Sequence, residues 1–170
     1  MIKAIFLLTA ITFVPMLELR ASIPFGIFGM AKQISWLGVV CVCVVANILL
    51  GWLFFLVLDP VFRVLRKWKW FDKALWPRLL RAQRRIHPYV EKYGEMGVAI
   101  FIGIPLPGSG VYTGALGSYL LGVQKKKFMV ANAIGVLIAA VAVTGLSLLI
   151  LKGAVGKESW LVRLFLKTEI

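Results

Sequence analysis

Apolar residues in this chain come in four blocks of two kinds. Residues 34–58 and 128–151 each hold about 24 consecutive residues without a charge. At 1.5 Å per residue such a stretch reaches about 36 Å, enough to cross a hydrocarbon core about 30 Å thick. Each predicts a transmembrane helix. The other two blocks, 5–30 and 96–123, are interrupted. The first carries Pro15, Glu18, Arg20 and Pro24, with Gly26 and Gly29 beyond. The second carries Pro105, Pro107, Gly108 and Gly110. Proline removes a helix hydrogen bond and restricts the residue before it, so the run PLPGSG (105–110) is not continuous helix. The arm before it, 96–106, would reach only about 16 Å, half a membrane. Both blocks predict helix–break–helix hairpins that enter and return on one side. Irregular backbone at membrane depth stands only where it is buried in protein or lines a wet cavity.

The order of elements, broken hairpin then long span, occurs twice. Residues 21–30 lie over 109–118, matching Gly26 to Gly114 and Gly29 to Gly117, and Ala46-Asn47 lies over Ala131-Asn132. One full crossing separates the hairpins, so the repeats are inverted and the hairpins dip in from opposite faces. Charge sets the orientation. The connector 60–95 holds Arg63, Arg66, Lys67, Lys69, Lys73, Arg78, Arg81, Arg84, Arg85 and Lys92 against Asp72, Glu91 and Glu95. It and the run Lys125, Lys126 and Lys127 are expected in the cytoplasm. Re-entry of 96–123 puts both clusters on that side, whereas a full span would export the lysines. Both termini then lie outside. Within the connector Val64, Trp68, Phe71, Leu75 and Leu79 share one helical face, Pro77 and Pro88 divide it, and Trp68, Trp70 and Trp76 suit the headgroup layer. The expectation is an all-α integral membrane protein with two inverted repeats. Each is a re-entrant helical hairpin followed by a transmembrane helix, and a basic amphipathic interfacial connector joins them.

Composition agrees. Of 170 residues 61% are hydrophobic and 16% charged, with a mean hydropathy of +0.91. A soluble domain runs about 45–50% apolar and about 25% charged. This excludes a soluble enzyme, a disulfide scaffold and a disordered tail. The net charge of +13 fits anionic lipid headgroups as partners; spans on both sides tether the basic segment away from nucleic acid. Cys41 and Cys43 stand at i and i+2, on different helix faces, and His87 is the single histidine. No metal, cofactor or nucleophile–base set is predicted, and so no enzyme. Lys3 and the apolar run 4–17 imitate a signal peptide, but Glu18 and Arg20 occupy the cleavage region. The segment is read as mature protein.

Two motifs, PMLELRASIPFG (15–26) and FIGIPLPGSGVYTGALGSYLLG (101–122), together with the chain's size and basic connector, resemble the small multidrug export protein family of prokaryotes. That family looks like a compact relative of the DedA/VTT superfamily. The resemblance covers about residues 13–151. It implies opposed re-entrant hairpins meeting near mid-membrane in a prokaryotic inner (plasma) membrane, with movement of lipids or lipid carriers, or transport driven by a proton gradient. The chain departs from the DedA pattern of acidic residues in the first hairpin and arginines in the second. Here Glu18 and Arg20 are both in the first, and the second offers Ser109, Tyr112, Thr113, Ser118 and Tyr119. Glu18 alone is carried over, as the acidic hairpin position.

The candidate site lies where the two breaks meet. A carboxylate at membrane depth, Glu18, would bind a proton or a cation, or pair with Arg20. Arg20 would grip a phosphate or carboxylate; near a break at Pro24 it would face Glu18, or it would meet the second hairpin. The break formed by Pro105, Pro107, Gly108, Ser109 and Gly110, with Tyr112 and Thr113 following, would offer backbone N–H groups to an anion. Asn47 and Asn132 would line the path or bond between helices. The expected function is proton-coupled transport of a lipid-linked or other anionic amphiphile. Export of small organic cations with Glu18 as counter-ion, or a non-transporting scaffold, are the rivals. Two spans and two hairpins are few for a complete pathway, which leaves room for a homodimer.

Overall fold

A computed structural model describes residues 2–15, 17–31, 33–65, 67, 94–105 and 109–151. Most of the connector, 68–93 with Trp68, Trp70, Trp76 and His87, lies outside the described residues, as do Pro107 and Gly108.

The described residues form six helices and no strand. They are α1 (Ile2–Phe13), α2 (Glu18–Gly29), α3 (Trp36–Leu65), α4 (Gly94–Gly103), α5 (Val111–Leu120) and α6 (Lys125–Leu151). α3 and α6 are long and apolar enough to cross a membrane. α3 runs on through Asp59 and Pro60 to Leu65, beyond the charge-free run. Large side chains are bare on the outer faces: Ile2 is 81% exposed and Val141 74%. Helices that are apolar on both the packed and the exposed side suit a lipid solvent.

α1 and α2 are joined at 14–17, and α4 and α5 at 104–110, so each interrupted block folds as a short helix, a break and a short helix. One expected break is corrected. Pro24 and Arg20 lie inside α2, which is continuous from Glu18 to Gly29. Proline removes one backbone bond, but packing holds the helix: Ile23 and Ile27 are buried, and α2 packs against α1, α3 and α6. The first break is set by Pro15, three residues before α2 begins.

α3 packs against α6, and α2 packs against both. Val39, Cys43, Phe128 and Val136 are buried in the core, and Cys41 points outward as its spacing from Cys43 demands. Trp52 Nε1 donates to the Met129 carbonyl (3.2 Å) and Asn132 Nδ2 to the Ile48 carbonyl (3.1 Å), tying α3 to α6. Gly135 lets α4 approach α6: an added Cβ would stand 2.7 Å from the Ala99 carbonyl oxygen.

Contacts fix where each hairpin opens. Gly26, near the end of α2, packs on Val39 at the start of α3. At the other end of α3, Tyr119 Oη donates to Asp59 (3.0 Å), which also pairs with Arg63, and Phe62 stacks on the Tyr119 ring. There too Lys127 Nζ meets Glu95 at 3.3 Å, joining the starts of α6 and α4. The hairpins therefore open at opposite ends of α3, with their breaks between.

Candidate functional site

The two breaks meet through one carboxylate. Glu18 is 4% exposed. Its Oε2 accepts from the Val111 amide at 3.0 Å and its Oε1 from the Tyr112 amide at 3.4 Å. These are the first amides of α5, which have no intrahelical acceptor. Glu18 thus caps a helix that begins 93 positions later. The helix dipole favours an anion there by up to about 2 kcal/mol when partly buried, and hydrogen bonds to a charged group contribute about 1.5–3 kcal/mol each.

Local backbone aims the carboxylate. Glu18 has φ 48°, the left-handed region that side chains other than glycine rarely enter. Gly110, the residue before α5, is where the carboxylate comes closest: a Cβ there would overlap both Glu18 oxygens. Ser22 Oγ donates to the Glu18 carbonyl (3.1 Å), and Thr12 Oγ1 donates to Ser22 Oγ (2.8 Å), fastening α2 to α1 just inside the turn.

Arg20, 9% exposed, binds the same break from the other side. Its Nη2 donates to Ser109 Oγ (3.1 Å) and to the Ile104 carbonyl (3.3 Å), while Ser109 Oγ donates to that carbonyl at 2.6 Å. Tyr112 Oη reaches back to the Phe13 carbonyl (2.6 Å).

Of the expected residues, the structure brings together Glu18, Arg20, Ser109, Gly110 and Tyr112. Pro105 lies in the break and Thr113 on the exposed side of α5. Pro24 lies one turn along α2, beside Arg20 on a cavity wall. Asn47 and Asn132 are buried in α3 and α6, and their Oδ1 atoms have no partner among the described residues. The α5 amides expected to await an anion already hold one, supplied by the chain itself. Sequence reading missed the Val111 amide and the Ile104 carbonyl, since backbone groups carry no residue signature. It also missed the Asp59–Arg63–Tyr119 cluster, for which the acidic residue at the end of an apolar run was the available signal. Among the described residues no group of three His, Cys, Asp or Glu could hold a metal.

A helical chain with two helices long and apolar enough to cross a membrane fits a membrane protein. Comparison with family models matches residues 18–142 to the family described as "Putative small multi-drug export protein", and the chain belongs to that family. The description is of an exporter rather than an enzyme. No curated protein and no solved structure matches the chain.

Proposed function

We propose that the protein is a multi-pass transporter of the plasma membrane that moves an anionic amphiphile, lipid-linked or otherwise, through the seam between the hairpin breaks, coupled to a proton. The observation that carries this reading is the Glu18 cap on α5. Among the described residues the α5 N-terminus, with Arg20 bound to Ser109 beside it, suits an anionic headgroup, and Glu18 already fills it. A proton on Glu18 removes its charge and weakens the cap, which leaves the amides to the substrate. Proton and anion then favour each other's binding, by the reciprocity of coupled equilibria, and travel in the same direction.

The architecture proposed with it is a pair of inverted repeats with re-entrant hairpins. Its support is that the hairpins open at opposite ends of α3 and that matched glycines act alike. Gly26 and Gly114 are packed against Leu8 and Ile102 of their hairpin partners, while Gly29 and Gly117 face open space. The basic connector would then face the cytoplasm and its anionic lipids, and kinship with the DedA/VTT superfamily belongs to the same proposal.

A second reading starts from the family's description as a multi-drug exporter: export of a small organic cation. There Glu18 would hold proton and cation in turn, so the two would move in opposite directions. Proteoliposomes separate the readings. They are given a fluorescent phospholipid, a polyprenyl phosphate and a cationic dye in turn, with a proton gradient of either sign. The anionic reading expects an anionic probe to follow the proton and Glu18→Gln to abolish the dependence. A cationic dye moving against the proton installs the second reading. With insertion verified, no movement of any probe overturns both.

A further inference from the structure

Two cavities flank the clasp, one in each hairpin. The first, about 570 Å³, follows one face of α2, with Leu17, Arg20, Pro24 and Phe28 on its wall and Ile11 and Gly29 at its margins. The second, about 430 Å³, lies between α4 and α5, where Gly94, Gly97 and Phe101 stand opposite Thr113, Gly117 and Ser118. Both volumes fall in the range of ligand sites, about 300–1,000 Å³.

The cavities extend from the clasp toward opposite ends of the protein. The first starts at Leu17, next to Glu18, and ends at Gly29, by the start of α3. The second starts at Thr113, next to the capped amides, and ends at Gly94, beside the Glu95–Lys127 pair and so at the far end of α3. Glu18, bound to Val111 and Tyr112, stands between their inner ends.

We infer that these grooves are two half-paths for the alkyl chain of the anionic amphiphile, with the Glu18 clasp as the barrier between them. This rests on the transport reading above and gives its substrate a shape: one long chain carrying one anionic group. Apolar walls suit the chain. Arg20 stands at the inner end of the first groove and complements the head's charge. In the second, Ser118 is on the wall, its hydroxyl buried and without a hydrogen-bond partner among the described residues. The glycines keep the grooves wide. A Cβ added at Gly29, Gly97 or Gly117 meets nothing within 4 Å, so helix packing does not require glycine there.

The test fills one groove at a time. Gly29→Leu and Gly117→Leu each place a side chain in a groove, starting from a Cβ that meets nothing within 4 Å. Gly145→Leu on α6 is the control, because a Cβ there also meets nothing within 4 Å and Gly145 lines neither groove. The readout is movement of a fluorescent dodecyl phosphate across proteoliposomes, with a thermal midpoint recorded for every variant. Each groove variant is expected to slow movement by about tenfold or more, equivalent to about 1.4 kcal/mol on the barrier. Gly29→Ala and Gly117→Ala are expected to slow it less, and Gly145→Leu to leave it unchanged. The alanine variants carry the test where a leucine variant fails to fold. Loss from one groove only, or from neither, overturns the two half-paths while wild-type transport keeps the broader reading. A wild type that moves no anionic probe overturns the half-paths and the anionic reading together.

Discussion

The Glu18 carboxylate and the Val111 amide lie 3.0 Å apart across 93 positions of sequence. This bond joins the turn of one hairpin to the first helical residue after the break of the other. Glu18 accepts a left-handed backbone to make it, a conformation that costs an L-residue about 1–2 kcal/mol. Strain at one buried charged residue marks a position where geometry outranks local comfort.

Replacing Glu18 by Gln keeps a side-chain oxygen for one amide and removes the charge that meets the helix dipole. The expected loss is about 1–2 kcal/mol, read from denaturant or thermal unfolding in detergent. Glu18→Ala leaves buried amides without an acceptor and is expected to lose about 2–3 kcal/mol. Unchanged stability in both variants would mean that the cap does not hold the hairpins together.

Gly110→Ala puts a methyl group where the Glu18 oxygens lie. Its φ of −82° is open to alanine, so the damage comes from the carboxylate and not from the backbone. Alanine at 110 is therefore costly in the wild type and cheap in a Glu18→Ala background. The double-mutant cycle is expected to show coupling of about 0.5–3 kcal/mol; simple additivity would refute the contact.

Arg20 binds Ser109 and the Ile104 carbonyl through one guanidinium nitrogen. Lysine offers a point charge on a different stem and does not reproduce a planar fork. Arg20→Lys is expected to retain folding with slower transport of an anionic probe, and Arg20→Ala to lose that transport. An anion moved at the wild-type rate by Arg20→Ala would remove Arg20 from the path, and a cation moved unimpaired by it would favour the second reading.

Helix glycines divide into two groups by what surrounds them. At Gly135 an added Cβ stands 2.7 Å from the Ala99 carbonyl and 2.8 Å from Ile102. Backbone does not yield there, and Gly135→Ala is expected to cost about 1–3 kcal/mol through overpacking. Gly145→Ala meets nothing and is expected to gain up to about 1 kcal/mol from helix propensity. Thermal unfolding of the two variants in one detergent checks the contrast, and equal shifts would contradict the packing of α4 on α6.

Much of this fold is legible in the residues. Charge-free runs of membrane length give α3 and α6, and Pro15 and PLPGSG give both breaks, because each signal is local. Pro24 misleads for a physical reason: proline reports a missing donor, while burial of Ile23 and Ile27 decides whether the helix continues. The site is half legible. Glu18 and Arg20 stand out as charges in an apolar block, and Gly110 as part of a break. Their partners at Val111, Tyr112 and Ile104 are main-chain groups, and only the tertiary arrangement reveals them.

The long separation between Glu18 and its donors also has a consequence for biogenesis. During synthesis the first hairpin must wait for α5 to be made before its carboxylate is satisfied. Until then a chaperone, water or the insertion machinery has to shelter that acid, so a nascent chain stopped short of Tyr112 is expected to be an early target of membrane proteolysis.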